Sequence, residues 1–327
     1  MSLNIRRDRA LAPTTADEAN LKPHRVSVLL NAFSGKTDGE GRDQLRGALQ
    51  VAFDKHGISA SLEFFSGADL RSVAERAVEK ATRGEIDAVI VGGGDGSIST
   101  VAGVLAGSGV PLGIIPLGTL NHFAKDMKIP LAMEEAIAVI AAGEARPVDA
   151  GEVNGRLFIN NSSIGIYPYL VIDREKRMRR AGLPKWPAMI LAGLTAFRNF
   201  PIHRLSIRGE DWAEPCRSPC VFVGNNKYQL SGTALGSRER LDEGRLCLYI
   251  ARQQSLAALL WLAFRCVIGL LQPGDLRIVI LPAVDIGSHG RRLLVALDGE
   301  IEMIRSPLHY RIRPGALRVF VPAAAEA

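Results

Sequence analysis

The chain has 327 residues, long enough for two domains of ordinary size, each with its own core. Hydrophobic residues make up 47% of it, which excludes bulk disorder. A formal net charge of +6 suits nucleic acid, anionic lipid or phosphorylated small molecules as partners, and composition does not choose among them.

Residues 1–25 mix Arg6, Arg7 and Arg9 with Asp8, Asp17 and Glu18 and hold no apolar run of signal-peptide length. They read as a flexible tail on a chain that is not secreted. Cys216, Cys220, Cys247 and Cys266 show no CxxC spacing and read as reduced, small apolar residues, so the expected compartment is the cytoplasm.

Val26–Leu30 reads as a short strand, followed by a turn over Asn31–Lys36 that contains Ser34 and Gly35. From Arg42 to His56 the residues Leu45, Ala48, Leu49, Ala52 and Phe53 share one helical face, with Gly57 placed to end the helix. Ser59–Phe65 reads as a strand, and Ser66–Asp69 as a cap into a helix over Leu70–Arg83, with Ser66 itself a candidate N-cap. Ile86–Val91 is a buried strand running into Gly92-Gly93-Gly94-Asp95-Gly96-Ser97, and a helix is expected from Ser99. Three glycines remove the side chains that would keep a polyanion from backbone N–H groups, and Asp95 adds one carboxylate. Val110–Ile115 is the next strand, and Pro116–Asn121 is a turn rich in hydroxyl and amide groups. Strands and helices thus alternate over the first 120 residues, which predicts a parallel sheet covered on both faces. Two polar turns at adjacent strand ends make a crevice of the kind in which open α/β sheets bind ligands.

After a helix over Met133–Ala142 the pattern changes to period-two stretches and Gly/Asn turns, with Asn154-Gly155 as a strong hairpin signal. A domain boundary is placed near residue 145. Arg174–Arg180 carries five basic residues against Glu175 and reads either as a solvated helix face or as a contact for anionic lipid headgroups. Leu183–Phe200 is apolar enough to line a lipid slot or to pack in a core. Leu256–Leu271, broken by Arg265, is shorter than the roughly twenty residues that cross a bilayer, so a buried or interfacial helix is expected there and no transmembrane span. Leu293–Leu297 leads into Asp298-Gly299-Glu300, a strand ending in acids, and His309–Val321 reads as a final hairpin turning at Pro314-Gly315.

Gly93-Gly94-Asp95-Gly96-Ser97 and Pro116–His122 resemble the paired Gly-Gly-Asp-Gly-Thr and Pro-Leu-Gly-Thr-x-Asn-Asp motifs of the diacylglycerol kinase catalytic domain superfamily, which includes bacterial lipid kinases, sphingosine kinases and ceramide kinases. That resemblance implies an α/β nucleotide-binding domain over 26–145 with a mostly parallel sheet, like that of NAD and diacylglycerol kinases. It implies a β-rich, sandwich-like lipid-substrate domain over 146–327, whose last strand returns to the first domain. The implied activity is transfer of the γ-phosphate of ATP, with Mg²⁺, to the hydroxyl of a lipid such as diacylglycerol at the membrane surface. Peripheral membrane association and a homodimer are among the expectations, and a nucleic-acid partner is not.

By the same resemblance Asn31, Ser34, Gly35, Ser66, Gly92, Gly93, Gly94, Gly96, Ser97, Thr119 and Asn121 contact nucleotide. Asp95, Asp149 and Glu243 belong to the metal network, and Glu300, assisted by Asp298, is the base that accepts the alcohol proton. Asp149 competes with a plain Asp turn and Glu243 with a surface turn. Three positions depart from the pattern: Ala32 stands where relatives carry Pro, Ser97 where they carry Thr, and His122 where they carry Asp. Asp126, at i+4 from His122, is a candidate to present the missing charge one turn later. A soluble NAD kinase-like enzyme and a catalytically impaired lipid-binding protein are the competing readings.

Overall fold

The computed structural model describes residues 22–31, 39–172, 202–210, 212–230, 236–253, 255–271 and 274–323. Ser34 and Gly35, the basic run Arg174–Arg180 and the apolar stretch Leu183–Phe200 lie outside these residues, as does most of the expected N-terminal tail.

The chain opens with β1 (Arg25–Asn31), α1 (Gly39–Asp54), β2 (Ser59–Phe65), α2 (Leu70–Thr82), β3 (Ala88–Gly93), α3 (Asp95–Leu105) and β4 (Pro111–Pro116). Strands β2, β1, β3 and β4 lie side by side and parallel. Alternation along β1 explains the two layers of helix. Val26, Val28 and Leu30 join the core under α1, while Leu29 faces the core under α2 and α3. Short α4 (His122–Asp126) and then α5 (Met133–Ala142) follow β4.

Next come β5 (Ala145–Val153), β6 (Arg156–Phe158), β7 (Asn161–Gly165), β8 (His203–Arg208), β9 (Ala213–Ser218), β10 (Cys220–Asn225) and β11 (Leu246–Ala251). Helix α6 (Leu256–Val267) precedes β12 (Leu276–Leu281), β13 (Ala283–Ser288), β14 (Arg292–Leu297), β15 (Glu300–Arg305) and β16 (Leu308–Phe320). Asn154-Gly155 joins β5 to β6 with φ of 47° and 81°, the left-handed pair that a tight two-residue hairpin requires.

Among the described residues one sheet runs β2-β1-β3-β4-β16-β13-β8-β9, with β5 and β6 attached through β16, and a second runs β12-β11-β10-β7-β14-β15. The second sheet is antiparallel and packs on the first through Leu205, Ile207, Val221, Leu248, Val295 and Tyr310, a sandwich core.

β16 is the element that makes one body of the two halves. Its start pairs antiparallel with β13, its end pairs parallel with β4 at Arg318↔Pro111 and Val319↔Leu112, and β5 flanks it along most of its length. The hairpin expected over His309–Val321 is therefore a single strand. Pro314-Gly315 forms a bulge between Arg313 and Leu317, because the Gly315 N–H turns aside to Asp149 Oδ1 at 2.9 Å while pairing with β5 continues on both sides.

Candidate active site

Parallel pairing aligns the carboxyl ends of four strands. Asn31 sits opposite Phe65, Leu30 opposite Gly92, and Gly93 opposite Pro116. Asn31, Ser66, the glycine turn and the Pro-Leu-Gly-Thr turn thus share one edge of the sheet, the edge at which such folds bind ligands.

The glycine turn is tighter than its sequence suggests. β3 continues through Gly93 and α3 begins at Asp95, so Gly94 alone makes the turn and the helix starts four residues before Ser99. Packing accounts for Gly92, Gly93 and Gly118. A Cβ on Gly92 would fall 2.5 Å from Leu30, one on Gly93 2.8 Å from Ser97, and one on Gly118 2.4 Å from the Gly94 Cα. The two turns therefore touch backbone to backbone. The Ile98 N–H is the first in α3 to bond within the helix, to Gly94 O, so the N–H groups of Asp95, Gly96 and Ser97 form the open N-terminal turn.

Side chains tie the turns together. Asn31 Nδ2 donates to Ser97 Oγ at 2.9 Å. Asp95 Oδ1 accepts the Phe123 N–H at the start of α4, and its other oxygen has no partner among the described residues. Asn121, at φ 51°, turns inward: its carboxamide accepts from Gly118 N and donates to Gly118 O, so it shapes the turn. Thr119 and Gly96 are exposed. Asp69 occupies the N-cap position of α2, and the Ser66 hydroxyl donates to the Asp69 carboxylate, so Ser66 is not the cap.

The acids of the β14–β15 hairpin approach α3 from the second sheet. Asp298 and Gly299 take φ of 47° and 94°, the same tight-turn geometry as Asn154-Gly155. Both Asp298 oxygens are filled. Oδ1 accepts the N–H groups of Asn160 and Asn161, and Oδ2 accepts that of Ile159 and the Ser99 hydroxyl, the last at 2.5 Å. Burial raises the Asp298 pKa, and those four donors oppose the rise. Glu300 is left to face a pocket of about 340 Å³ lined also by Arg71, Ser99, Thr100, Arg156 and Glu302. Burial and the neighbouring Glu302 and Asp298 charges push the Glu300 pKa up, and Arg71 pulls it down.

Beneath the hairpin lies a buried ion pair that the sequence did not announce. Arg238 donates to Asp126 Oδ2 at 2.7 Å, to Ile159 O at 2.7 Å, to Asn225 O at 3.1 Å and to Asn160 Oδ1 at 2.6 Å. It therefore braces the same 159–161 segment whose N–H groups hold Asp298. Asp126 is spent on this pair and does not present its charge in place of the missing Asp at His122, which is itself exposed.

The expected metal set does not assemble. Among the described residues no group of three or more His, Cys, Asp or Glu is placed to hold a metal ion. Asp149 accepts from Gly315 N, Gly244 N and Asn226 Nδ2, which makes it the pin that joins β5, the turn before β11, and the β16 bulge. Glu243 is exposed beside it. Asp95 is different, because its open oxygen suits a Mg²⁺ ion that keeps water and is carried on substrate phosphates.

A glycine-turn helix N-terminus thus ends a parallel sheet, and the Ser99–Asp298 bond holds the Glu300 hairpin of the antiparallel sheet against the same helix. The diacylglycerol kinase catalytic domain model matches residues 25–153. A protein of Pseudomonas aeruginosa named probable lipid kinase YegS-like is 31% identical over 76% of this chain and 82% of its own length. One from Salmonella arizonae named probable lipid kinase YegS is 29% identical over 76% and 83%. A Bacillus anthracis structure described as a diacylglycerol kinase superposes with a TM-score of 0.68 at 20% identity, covering 93% of this chain and 99% of that one. The chain belongs to the YegS-like lipid kinases, a family of enzymes built on the diacylglycerol kinase catalytic domain.

Proposed function

We propose that this enzyme transfers the γ-phosphate of ATP to the hydroxyl of a membrane lipid such as diacylglycerol. The observation that carries the reading is the Ser99–Asp298 hydrogen bond, which fixes the Glu300 hairpin against the same helix whose N-terminus closes the glycine turn. In that arrangement the N–H groups at the start of α3 bind nucleotide phosphate, with Asn31, Ser66 and Thr119 along the same edge. Asp95 directs its open oxygen to Mg²⁺, which neutralises phosphate charge when bound. Glu300 accepts the proton of the lipid hydroxyl, whose oxygen forms the new bond to phosphorus as the bridging P–O bond breaks and ADP departs with the electron pair. Asp298 is a positioning residue, with no lone pair left for substrate.

Contact with a bilayer surface is part of this reading. No helix among the described residues is long and apolar enough to cross a membrane. On α6, however, Leu260, Trp261 and Phe264 are each more than half exposed on one face. Arg265 near the end of the helix is paired to Asp275, so this face meets a bilayer through its apolar side chains, with Trp261 the residue type that enters an interface.

Incubation of the purified protein with a total lipid extract, Mg²⁺ and γ-labelled ATP tests the whole reading. Label in a chloroform-soluble phospholipid is expected. Label in a nucleotide such as NADP, or none in lipid, would contradict it.

A further inference from the structure

The pocket beside Glu300 holds more charge than a base alone needs. Its walls carry two carboxylates, Glu300 and Glu302, and two guanidinium groups, Arg71 and Arg156. Arg156 is committed to Glu302 through a close ion pair. Arg71 has no hydrogen bond or ion pair among the described residues. It is exposed in the first turn of α2, where the helix dipole opposes a cation, so its charge does nothing for the helix that carries it. Yet it stands near enough to Glu300 to be felt by that carboxylate.

We propose that Arg71 binds a phosphate oxyanion held against Glu300, so that α2 contributes a cation to the transfer step. This rests on the reading of Glu300 as the base. A planar guanidinium fork matches two phosphate oxygens at once, and a solvated Arg that is left unpaired in the free enzyme is ready to make that contact. The anion has two sources: the γ-phosphoryl group itself, or the phosphodiester of an acceptor lipid that bears both a phosphate and a free hydroxyl. The small, mostly polar pocket admits a headgroup in either case, and the only large apolar side chains in its wall are Leu157 and Leu297.

Arg71→Gln and Arg71→Lys, compared with wild type in neutral detergent micelles, test the proposal with two acceptors, diacylglycerol and phosphatidylglycerol. If the oxyanion is the γ-phosphoryl group, Arg71→Gln lowers kcat with every acceptor that wild type uses by about 100-fold, the scale of one lost oxyanion donor. If it is the acceptor's phosphodiester, the loss is confined to KM for phosphatidylglycerol and diacylglycerol turnover is unchanged. In both cases Arg71→Lys recovers part of the loss. The acidic limb of the rate profile also moves to higher pH in Arg71→Gln, because the cation that lowers the Glu300 pKa is gone while Glu302, Asp298 and Arg156 remain. Arg71→Gln working within twofold of wild type on both lipids would overturn the proposal alone. So would a loss that follows a lowered melting temperature and that Arg71→Lys does not relieve. Wild-type protein that labels no lipid at all would overturn the base assignment and the proposal with it.

Discussion

Asp95-Gly96 and Asp298-Gly299 are the same dipeptide at the start of α3 and in the β14–β15 turn that Ser99 ties to that helix, and they are used in opposite ways. Asp298 sits in a left-handed turn with both oxygens filled by three backbone N–H groups and the Ser99 hydroxyl. Asp95 starts a helix and spends one oxygen on Phe123 N–H, and among the described residues nothing takes the other. The number of donors that reach a carboxylate decides whether it holds the fold or meets a ligand. By that rule Asp149 and Asp126 also belong to the fold, and Glu300 to the chemistry.

The contrast breaks most visibly at Asp298. Asp298→Ala leaves three N–H groups and a hydroxyl without their acceptor, and a loss of about 3 kcal/mol or more in unfolding free energy is expected by chemical denaturation, together with loss of turnover. Asp95→Asn is the opposite experiment. Its amide oxygen still accepts from Phe123, so the unfolding midpoint should hold while turnover falls by about 100-fold and the Mg²⁺ requirement rises. A drop in stability as large as that of Asp298→Ala would erase the distinction between the two acids. Ser99→Ala removes only one of the four donors to Asp298 and should cost about 1 kcal/mol, with a weaker effect on KM than on kcat because the hairpin is loosened and the nucleotide turn is not. Glu302→Gln is the mildest change. It removes a like charge that raises the Glu300 pKa and frees Arg156, so Glu300 stays ionised to lower pH and the acidic limb of kcat/KM moves to lower pH. Movement of that limb to higher pH would mean that Glu300 is not the group reported.

Much of the fold was legible because short-range signals dominate it. Ser59–Phe65 and Met133–Ala142 have the bounds that periodicity alone gives, and Asn154-Gly155 turns as its residue types require. The glycine turn, by contrast, reads in the sequence as a longer turn with a helix only from Ser99. Gly92 and Gly94 answer to Leu30 and to a second turn some twenty residues on, contacts that no local window contains. β16 reads in the sequence as a hairpin for the same kind of reason, since Pro314-Gly315 looks like a turn until Asp149 takes the Gly315 N–H. At the site, motif resemblance picks out Asp95, Asp298 and Glu300 and gives each a role, but it does not show that four donors fill the Asp298 carboxylate. Ser99, Arg71 and the Arg238–Asp126 pair carry no sequence signal, because each gains meaning only from a partner between 50 and 250 residues away or on another element.

The central claim, that Glu300 is the group that takes the proton from a lipid alcohol while Asp298 only holds it in place, is tested most directly by Glu300→Gln. The measurement is transfer of label from γ-labelled ATP into lipid by wild type and variant at matched saturation with nucleotide. The expected result is an unaltered melting temperature and ATP affinity with lipid labelling reduced by at least about 100-fold. A folded Glu300→Gln protein that labels lipid at the wild-type rate would contradict the account.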